Sequence, residues 1–535
     1  MTDTKPLKAS PGSEPTSGTA ESLLLIALIG VFLWRIMFSI SFNLIPDECS
    51  YWAWSRRLDW SYFDNSPMVA YLIRFSTSLF GESSPLSVRF PFLLLSGLTT
   101  YLVYLSSRSL FGDRQSALLS AAILNVTPLG LLAGCAAIHD NALVFFWVLT
   151  IWTTVRFVET DDARWFYWMG MSAGFAILCK YTGVLVLPSI LIFLLWSPAH
   201  RHWLLKKEPW IGALIASAFA LPIIYWNIKH DWASLYHVLF IGAGAVSLAR
   251  KLGDAILYHL AQFLLISPLF YVALLAGVFT ALSGNLRKPC ARDVLLISFS
   301  LPLFIFGMMA VKGHVEANWA VMGYPSAVIL AVEVIRRAHR ERLTGILEHF
   351  TPKFFKRGLA LSLGISIVVV AHAWIGLLPA SLERAFAKED RIIWETTGWD
   401  GLGRRIAEEH RPNEVIAADS YQLCALLEFN VPGNPDVRYL APWKRPTQFD
   451  VWHPSFGNLV GRDVLFVSSR PLVPSVDGRI TVYDNFRRVE RLKPYEVIYH
   501  SRPIRKIYIY RGRGFDTVHN FLGVPLEDRS LFYVD

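Results

Sequence analysis

The sequence predicts an all-α polytopic membrane domain of about eleven helices, followed by a small α/β soluble domain. Three observations carry this. Hydrophobic residues fill 53% of the 535 positions and charged ones only 17%, a more apolar balance than soluble folds use. Apolar runs of roughly 17–25 residues, enough to cross about 30 Å of hydrocarbon as helices, follow one another as far as Leu378. After Ser381 the composition turns mixed, with Pro and Gly clustered at Pro432, Gly433, Pro435, Pro442 and Pro446.

Met1 to Ala20 is rich in Pro, Ser, Thr and Gly and reads as a disordered head. The expected spans are Ser22–Leu44, Val88–Leu110, Gln115–Ile138, Asn141–Val158, Trp165–Cys179, Tyr181–Trp196, Pro209–Asn227, Ala255–Leu282, Val294–Val311, Trp319–Val334 and Gly358–Leu378. The first is longer than a signal-peptide core and lacks a small-residue cleavage site, so it is expected to be retained. Arg108 and Arg114, then Arg201, Lys206 and Lys207, then Arg287, Lys288 and Arg292, and finally Arg336 to Arg357 all fall on one side of this count. Positive loops mark the cytoplasm. The head is therefore expected inside, residues 21–380 form the membrane domain, and residues 381–535 lie in the periplasm of a bacterial inner-membrane protein. Asp47, His139, Lys180, Lys229 and the 312–318 segment fall on that outer side too.

The +9 net charge is a topology signal: Lys and Arg sit mostly in short loops, and no basic, aromatic-interleaved patch points to nucleic acid. Cys49, Cys135, Cys179, Cys290 and Cys424 are scattered without CxxC or His-containing metal spacing, which argues against a disulfide framework. In the tail, helices are expected at Gly401–His410 and Tyr421–Phe429. Strands are expected at Glu414–Ala418, Val464–Val467, Tyr495–His500 and Lys506–Arg511. No Gly-rich phosphate loop is present.

The chemistry concentrates in Ile45–Tyr71, IPDECSYWAWSRRLDWSYFDNSPMVAY. Pro46 suits a helix start, and acids in a first turn favour the macrodipole, so Asp47 and Glu48 read either as caps or as working carboxylates. Tyr51 shares a helical face with Asp47 at i, i+4, while Trp52 and Trp54 suit an interface. Asp64 follows Tyr62-Phe63 and precedes Asn65-Ser66-Pro67. It reads as a turn residue or as a second carboxylate folded back toward Asp47, ahead of a short apolar helix from Pro67 to about Phe80 that Gly81 ends.

Four further positions stand out. His139-Asp140 opens a span and reads as a cap or a ligand pair. Lys180 interrupts an apolar stretch, where a charge at bilayer depth costs about 2.5–3.5 kcal/mol, so it is expected at the outer interface or beside an anion. Arg35 in the first span poses the same question, with snorkelling as its simplest answer. Lys312, His314 and Glu316 lie in the outer segment Lys312-Gly313-His314-Val315-Glu316-Ala317-Asn318-Trp319. Outward-facing acids, lysines and histidine beside apolar helices suit phosphate chemistry on a lipid: cations to hold the phosphate and a carboxylate to take a proton.

Asp47-Glu48 with Tyr51, Tyr62 to Pro67, His139-Asp140-Asn141, Leu178-Cys179-Lys180-Tyr181, the 312–319 segment and Tyr324-Pro325 together resemble the integral-membrane glycosyltransferases of the GT-C fold. The likeness is to the lipid A aminoarabinose transferase and protein O-mannosyltransferase relatives. The likeness runs in order from Ser22 to about Ile335, and Gly398-Trp399, Ala418 to Gln422 and Gln448 to Trp452 are similar to the tails of bacterial members. The resemblance implies transfer of a sugar from a polyprenyl-phosphate donor to lipid A, core oligosaccharide, another glycolipid or a protein. It makes Asp47 the leading catalytic carboxylate, Glu48 its loop support and Asp64 a second acid. Asn65 stands where some relatives carry Lys, which leaves Lys180, Lys312 and His314 to hold the donor phosphate, with Tyr51, Tyr62, His139, Asp140 and Glu316 around the substrates. Some relatives use a divalent metal, for which Asp47, Asp64 and His314 are the candidate ligands. The rival readings are a lipid-linked oligosaccharide flippase, which would place ionisable groups near the bilayer midplane, a polysaccharide ligase, and a non-catalytic scaffold presenting the tail.

Overall fold

The computed structural model describes residues 18–240, 247–283, 290–313, 315–342, 346–377, 391–441, 446–472, 482–500 and 502–516. The expected disordered head lies outside them up to residue 17, and its last three residues already belong to the first helix, α1 (Gly18–Ser41). From Leu25–Ser41 the chain turns through 76° into α2 (Pro46–Arg56). The short apolar helix expected after Ser66 is α3 (Met68–Phe80), closed by Gly81 at φ 72°, a left-handed backbone that favours glycine.

The eleven expected spans each find a helical counterpart, but by several geometries. Six stretches are long and apolar enough to cross a bilayer. They are α4 (Pro85–Phe111), α7 (His139–Thr160), the continuous Glu208–Lys229 stretch made of α10 (Glu208–Ala218) and α11 (Leu221–Lys229), the pair α15 (Ala291–Phe299) and α16 (Leu301–Met309), the stretch that ends in α17 (Tyr324–Arg340), and α18 (Pro352–Ile375). α8 (Trp165–Cys179) and α9 (Val186–Trp196) are apolar but shorter.

Two expected spans break at prolines, which lack the N–H the helix needs. Gln115–Ile138 divides into α5 (Arg114–Val126) and α6 (Pro128–Ala133), where the Thr127 hydroxyl accepts from Gly130 N as an N-cap. Ala255–Leu282 divides at Ser267-Pro268 into α13 (Leu248–Ile266) and α14 (Pro268–Ser283), bent by 106°. With the two bent pairs counted as spans, the described chain has up to eight crossing elements by length and composition. It is a multi-pass membrane protein.

The chain folds into two compact units. One joins residues 1–37, 92–220 and 242–367 and is helical. There α8 and α10 pack backbone to backbone: a Cβ on Gly170 would stand 2.3 Å from the Gly212 carbonyl oxygen, an approach that only small residues allow.

The other unit joins residues 38–91, 221–241 and 368–535. Besides α2, α3 and α12 (Ala233–Phe240) it holds α19 (Arg391–Thr396), α20 (Trp399–Glu409), α21 (Tyr421–Asn430), α22 (Gln448–Trp452) and a six-stranded sheet. The strands are β1 (Val415–Ala418), β2 (Val437–Tyr439), β3 (Val464–Ser468), β4 (Phe486–Arg491), β5 (Tyr495–Tyr499) and β6 (Arg502–Phe515). Their order is β2-β1-β3-β6-β4, with β5 also on β6, and β1 runs parallel to β2 and β3. The mixed α/β tail read from composition is thus a real sheet. Its core includes Phe456, Leu459, Val464, Phe466, Tyr510 and Phe515.

Candidate functional site

The acidic first loop is held by a buried clamp. Glu48 is 1% exposed and its two oxygens accept from Arg89 at 2.8 and 2.6 Å, while Oε2 also accepts from Ile45 N at 3.0 Å. The remaining Arg89 donors go to the carbonyls of Phe42 and Asn43, both at 2.9 Å, and of Ser39 at 3.4 Å. Arg89 therefore ties the end of α1, the start of α2 and the start of α4 together, with its charge neutralised by Glu48 inside the protein. Adjacent in sequence, Asp47 has the opposite fate: at the second position of α2 its side chain is exposed, beside first-turn N–H groups that favour its anionic form.

Asp47 lines a polar cleft of about 800 Å3 within the same unit, together with Trp394, Glu395, Gln422, Arg470 and Lys506. Arg505 forms one wall: its guanidinium stacks on Trp399 at 3.6 Å and donates to the carbonyls of Trp394 and Thr397 at 2.5 and 2.7 Å. Lys506 is engaged by Glu496 at 2.7 Å.

The other expected residues of the loop are spent on shape. Tyr62 is fully buried, stacks on Trp54 at 4.4 Å and donates its hydroxyl to the Trp54 carbonyl at 3.1 Å. Burial pushes its phenol well above the usual range, so it acts as a wedge inside the loop, and substrate contact belongs elsewhere. Tyr51 meets Trp54 edge-on at 5.1 Å. Asp64 faces His237 of α12 at 3.6 Å and is not among the residues lining the Asp47 cleft. Cys49 is buried, shielded from reaction. Two ties anchor the loop to the tail: Phe63 N donates to Gln448 Oε1 at 2.7 Å, and Arg57 forks onto Glu428 at 3.0 and 2.9 Å and also meets Asp436.

In the helical unit a second polar cluster assembles. Asp140, at the start of α7, accepts from Lys180 Nζ at 2.7 Å and from Asn318 Nδ2 at 2.7 Å, one on each oxygen. His139 is 2% exposed and its Nδ1 lies 2.8 Å from the Cys179 carbonyl. Lys180 thus follows the second of its two expectations: its charge is answered by an anion, Asp140. Lys312 and Glu316 are exposed, at the end of α16 and ahead of a short 3-10 turn, and His314 lies outside the described residues. The expected sites fall into two sets: Asp47, Glu48, Tyr51, Tyr62 and Asp64 in the unit with the sheet, and His139, Asp140, Lys180, Lys312 and Glu316 in the helical unit.

Among the described residues no three His, Cys, Asp or Glu side chains gather as a metal site; of the candidate ligands Asp47, Asp64 and His314, the last lies outside the described residues. Arg89 and Asn318 were not among the expected site residues. Arg89 carried a signal, a charge inside the apolar 88–110 run, of the kind that marks a buried partner.

The family model described as dolichyl-phosphate-mannose-protein mannosyltransferase matches residues 64–226. Among curated relatives, lipid A galacturonosyltransferase RgtD of Rhizobium johnstonii is 27% identical over 58% of this chain and 64% of its own length. Undecaprenyl phosphate-α-4-amino-4-deoxy-L-arabinose arabinosyl transferase 2 of Pseudomonas fluorescens is 25% identical over 61% of this chain and 58% of its own. The chain thus aligns with less than two thirds of either relative. Among solved structures, ArnT from Cupriavidus metallidurans superposes with a TM-score of 0.60 at 15% identity, covering 92% of this chain and 98% of that one. The chain has the GT-C fold. The resemblance read from the motifs is the one the comparisons find, and the same ArnT bound to undecaprenyl phosphate matches this GT-C chain equally well, with a TM-score of 0.60.

Proposed function

We propose that the chain is a glycosyltransferase that moves a sugar from a polyprenyl-phosphate donor to an envelope acceptor at the outer face of the bacterial inner membrane. The observation that carries the reading is the placement of two adjacent carboxylates at the start of α2: Glu48 is buried on Arg89, while Asp47 is exposed and lines a polar cleft. The relatives named as sugar transferases on lipid A or with undecaprenyl phosphate supply the donor and acceptor class. A flippase or ligase has no observation of its own in its favour.

In this reading the head is cytoplasmic, residues 21–380 form the catalytic membrane domain and residues 381–535 lie in the periplasm. The acceptor is lipid A, core oligosaccharide, another glycolipid or a protein. An acceptor hydroxyl attacks the anomeric carbon in line, Asp47 takes its proton, and polyprenyl phosphate leaves. Proton removal by a positioned base contributes typically about 10²–10⁴-fold. Lys180, Lys312 and His314 offset the charge gathering on the leaving phosphate, Lys180 exchanging part of its contact with Asp140 for the donor. Should the acceptor be a phosphate, Asp47 orients it instead. The two named sugars, galacturonic acid and 4-amino-4-deoxy-L-arabinose, are both charged, and a charged sugar is proposed here.

Asp47→Asn is expected to abolish transfer in purified membranes while the protein inserts, accumulates and melts like the wild type. Near-wild-type turnover by that variant refutes the assignment. Mass spectrometry of envelope glycolipids and glycoproteins with and without the gene is expected to show one sugar mass missing.

A further inference from the structure

Inside the helical unit, a small cavity of about 100 Å3, room for several water-sized groups, lies between α1, α4, α6, α7, α13 and α17. Its walls are mostly apolar, and two buried polar side chains on it are incompletely answered. Arg35, from the middle of α1, is 3% exposed. Among the described residues no carboxylate pairs with it. Its one short hydrogen bond goes from Nη2 to the Gly130 carbonyl at 2.5 Å, and the contacts to Ser96 Oγ and the Leu131 carbonyl are long, at 3.4 and 3.5 Å. The guanidinium lies flat against Gly134, where a Cβ would come within 2.4 Å of its central carbon. Snorkelling does not explain a guanidinium sealed this far inside the protein.

The second side chain is Asn141 at 6% exposure. Its amide nitrogen donates to the carbonyls of Ala133 at 2.9 Å and Ala136 at 3.4 Å, while Oδ1 is buried with no hydrogen-bond partner among the described residues. A buried acceptor left bare costs about 1–3 kcal/mol, and a guanidinium removed from water without an anion costs more. The remaining charges on the wall balance, since Asp140 is answered by Lys180 and Asn318.

The cavity therefore asks for two things at once: an anion for Arg35 and an O–H donor for Asn141. A phosphodiester, such as the one joining sugar to polyprenol, or a fatty acid carboxylate supplies the first but not the second. A carboxylated sugar supplies both. We propose that this cavity is a specificity subsite that reads the carboxylate of a uronic acid on the donor, with Arg35 holding the carboxylate and Asn141 accepting from a ring hydroxyl. The proposal rests on the transferase reading and sharpens it: of an acidic and an amino sugar, the field of Arg35 selects the acid and repels the amine.

Three undecaprenyl-phosphate donors carrying galacturonic acid, galactose and 4-amino-4-deoxy-L-arabinose separate the possibilities, with binding to the purified full-length protein measured alongside turnover. The uronosyl lipid is expected to bind most tightly. Arg35→Gln is expected to weaken its binding and its kcat/KM about 10- to 100-fold, the range of one charge-assisted contact. The galactosyl donor should change less than about threefold, and Arg35→Lys should recover part of the loss. Asn141→Leu, a milder change, should weaken the uronosyl donor several-fold and guards against Arg35→Gln failing to fold. Equal losses on all three donors would mean that Arg35 only braces α6, and a wild type that binds the amino or neutral sugar as tightly as the acid overturns the proposal. Tight, Arg35-dependent binding of the uronosyl lipid without turnover of any donor would keep the subsite and sink the transferase reading.

Discussion

Breaking the Glu48–Arg89 clamp tests whether Glu48 supports the loop or works in the chemistry. Replacing Glu48 by Gln leaves a buried guanidinium with carbonyl partners at 2.9, 2.9 and 3.4 Å and no counter-charge. Breaking a buried pair in this way costs roughly 3–5 kcal/mol. For a folding unit of 150–250 residues, each kcal/mol moves the melting temperature by about 2–4 °C, so a fall on the order of 10 °C is expected. Replacing both residues with Met removes both desolvation penalties, and the double variant should be much less destabilised than the two singles added together. The assay is thermal unfolding in detergent, with transfer measured well below the melting temperature. At that lower temperature the double variant should retain measurable activity, because Asp47 is untouched. A Glu48→Gln protein that melts like the wild type but has no turnover would refute the structural assignment and make Glu48 a catalytic group.

Two further perturbations follow from the geometry. Lys180→Met removes the cation on Asp140 and is expected to raise the donor KM by about 10- to 100-fold, one lost charge-assisted contact. Asp140→Asn should instead leave Lys180 over-available and raise undecaprenyl-phosphate product inhibition, and an unchanged KM in both variants would dismiss the pair from donor binding. His453, after α22, is pushed down to about 4 by burial and by Arg438 and Arg57. Its folded value is depressed, so its contribution is fully present above the unfolded value near 6.5 and is lost as pH falls toward 4. Between pH 7 and pH 5 the loss is about 1–2 kcal/mol. His453→Gln should therefore melt with a flatter pH dependence over that interval, and parallel curves would count against the buried neutral imidazole.

Much of the fold was legible because lipid imposes one rule on every span. Backbone groups must be satisfied within the segment and side chains must be apolar, so counting apolar runs locates the helices. The same count could not see that Pro128 and Pro268 break two of them, because hydropathy is blind to where a helix ends within an apolar run. Asp47-Glu48 was legible as a pair. The sequence could not say which of the two faces water, since adjacent positions on a helix diverge by about 100° and only Arg89, 41 residues on, decides which one is withdrawn.

What the sequence determined by itself is therefore local and periodic: the membrane helices, the acidic first loop, the change of composition near residue 381 and the motifs that resemble the GT-C transferases. Tertiary structure decided which side chains spend their charge inside the protein. Glu48 is taken by Arg89, Asp140 by Lys180 and Asn318, and Tyr62 by the loop it wedges. Asp47 lines the cleft, and Arg35 faces a cavity whose one acid, Asp140, is already taken. It also gathered the first loop and residues 221–241 into one unit with the C-terminal sheet. Charge pairing is long-range and set by burial, so no spacing along the chain encodes it.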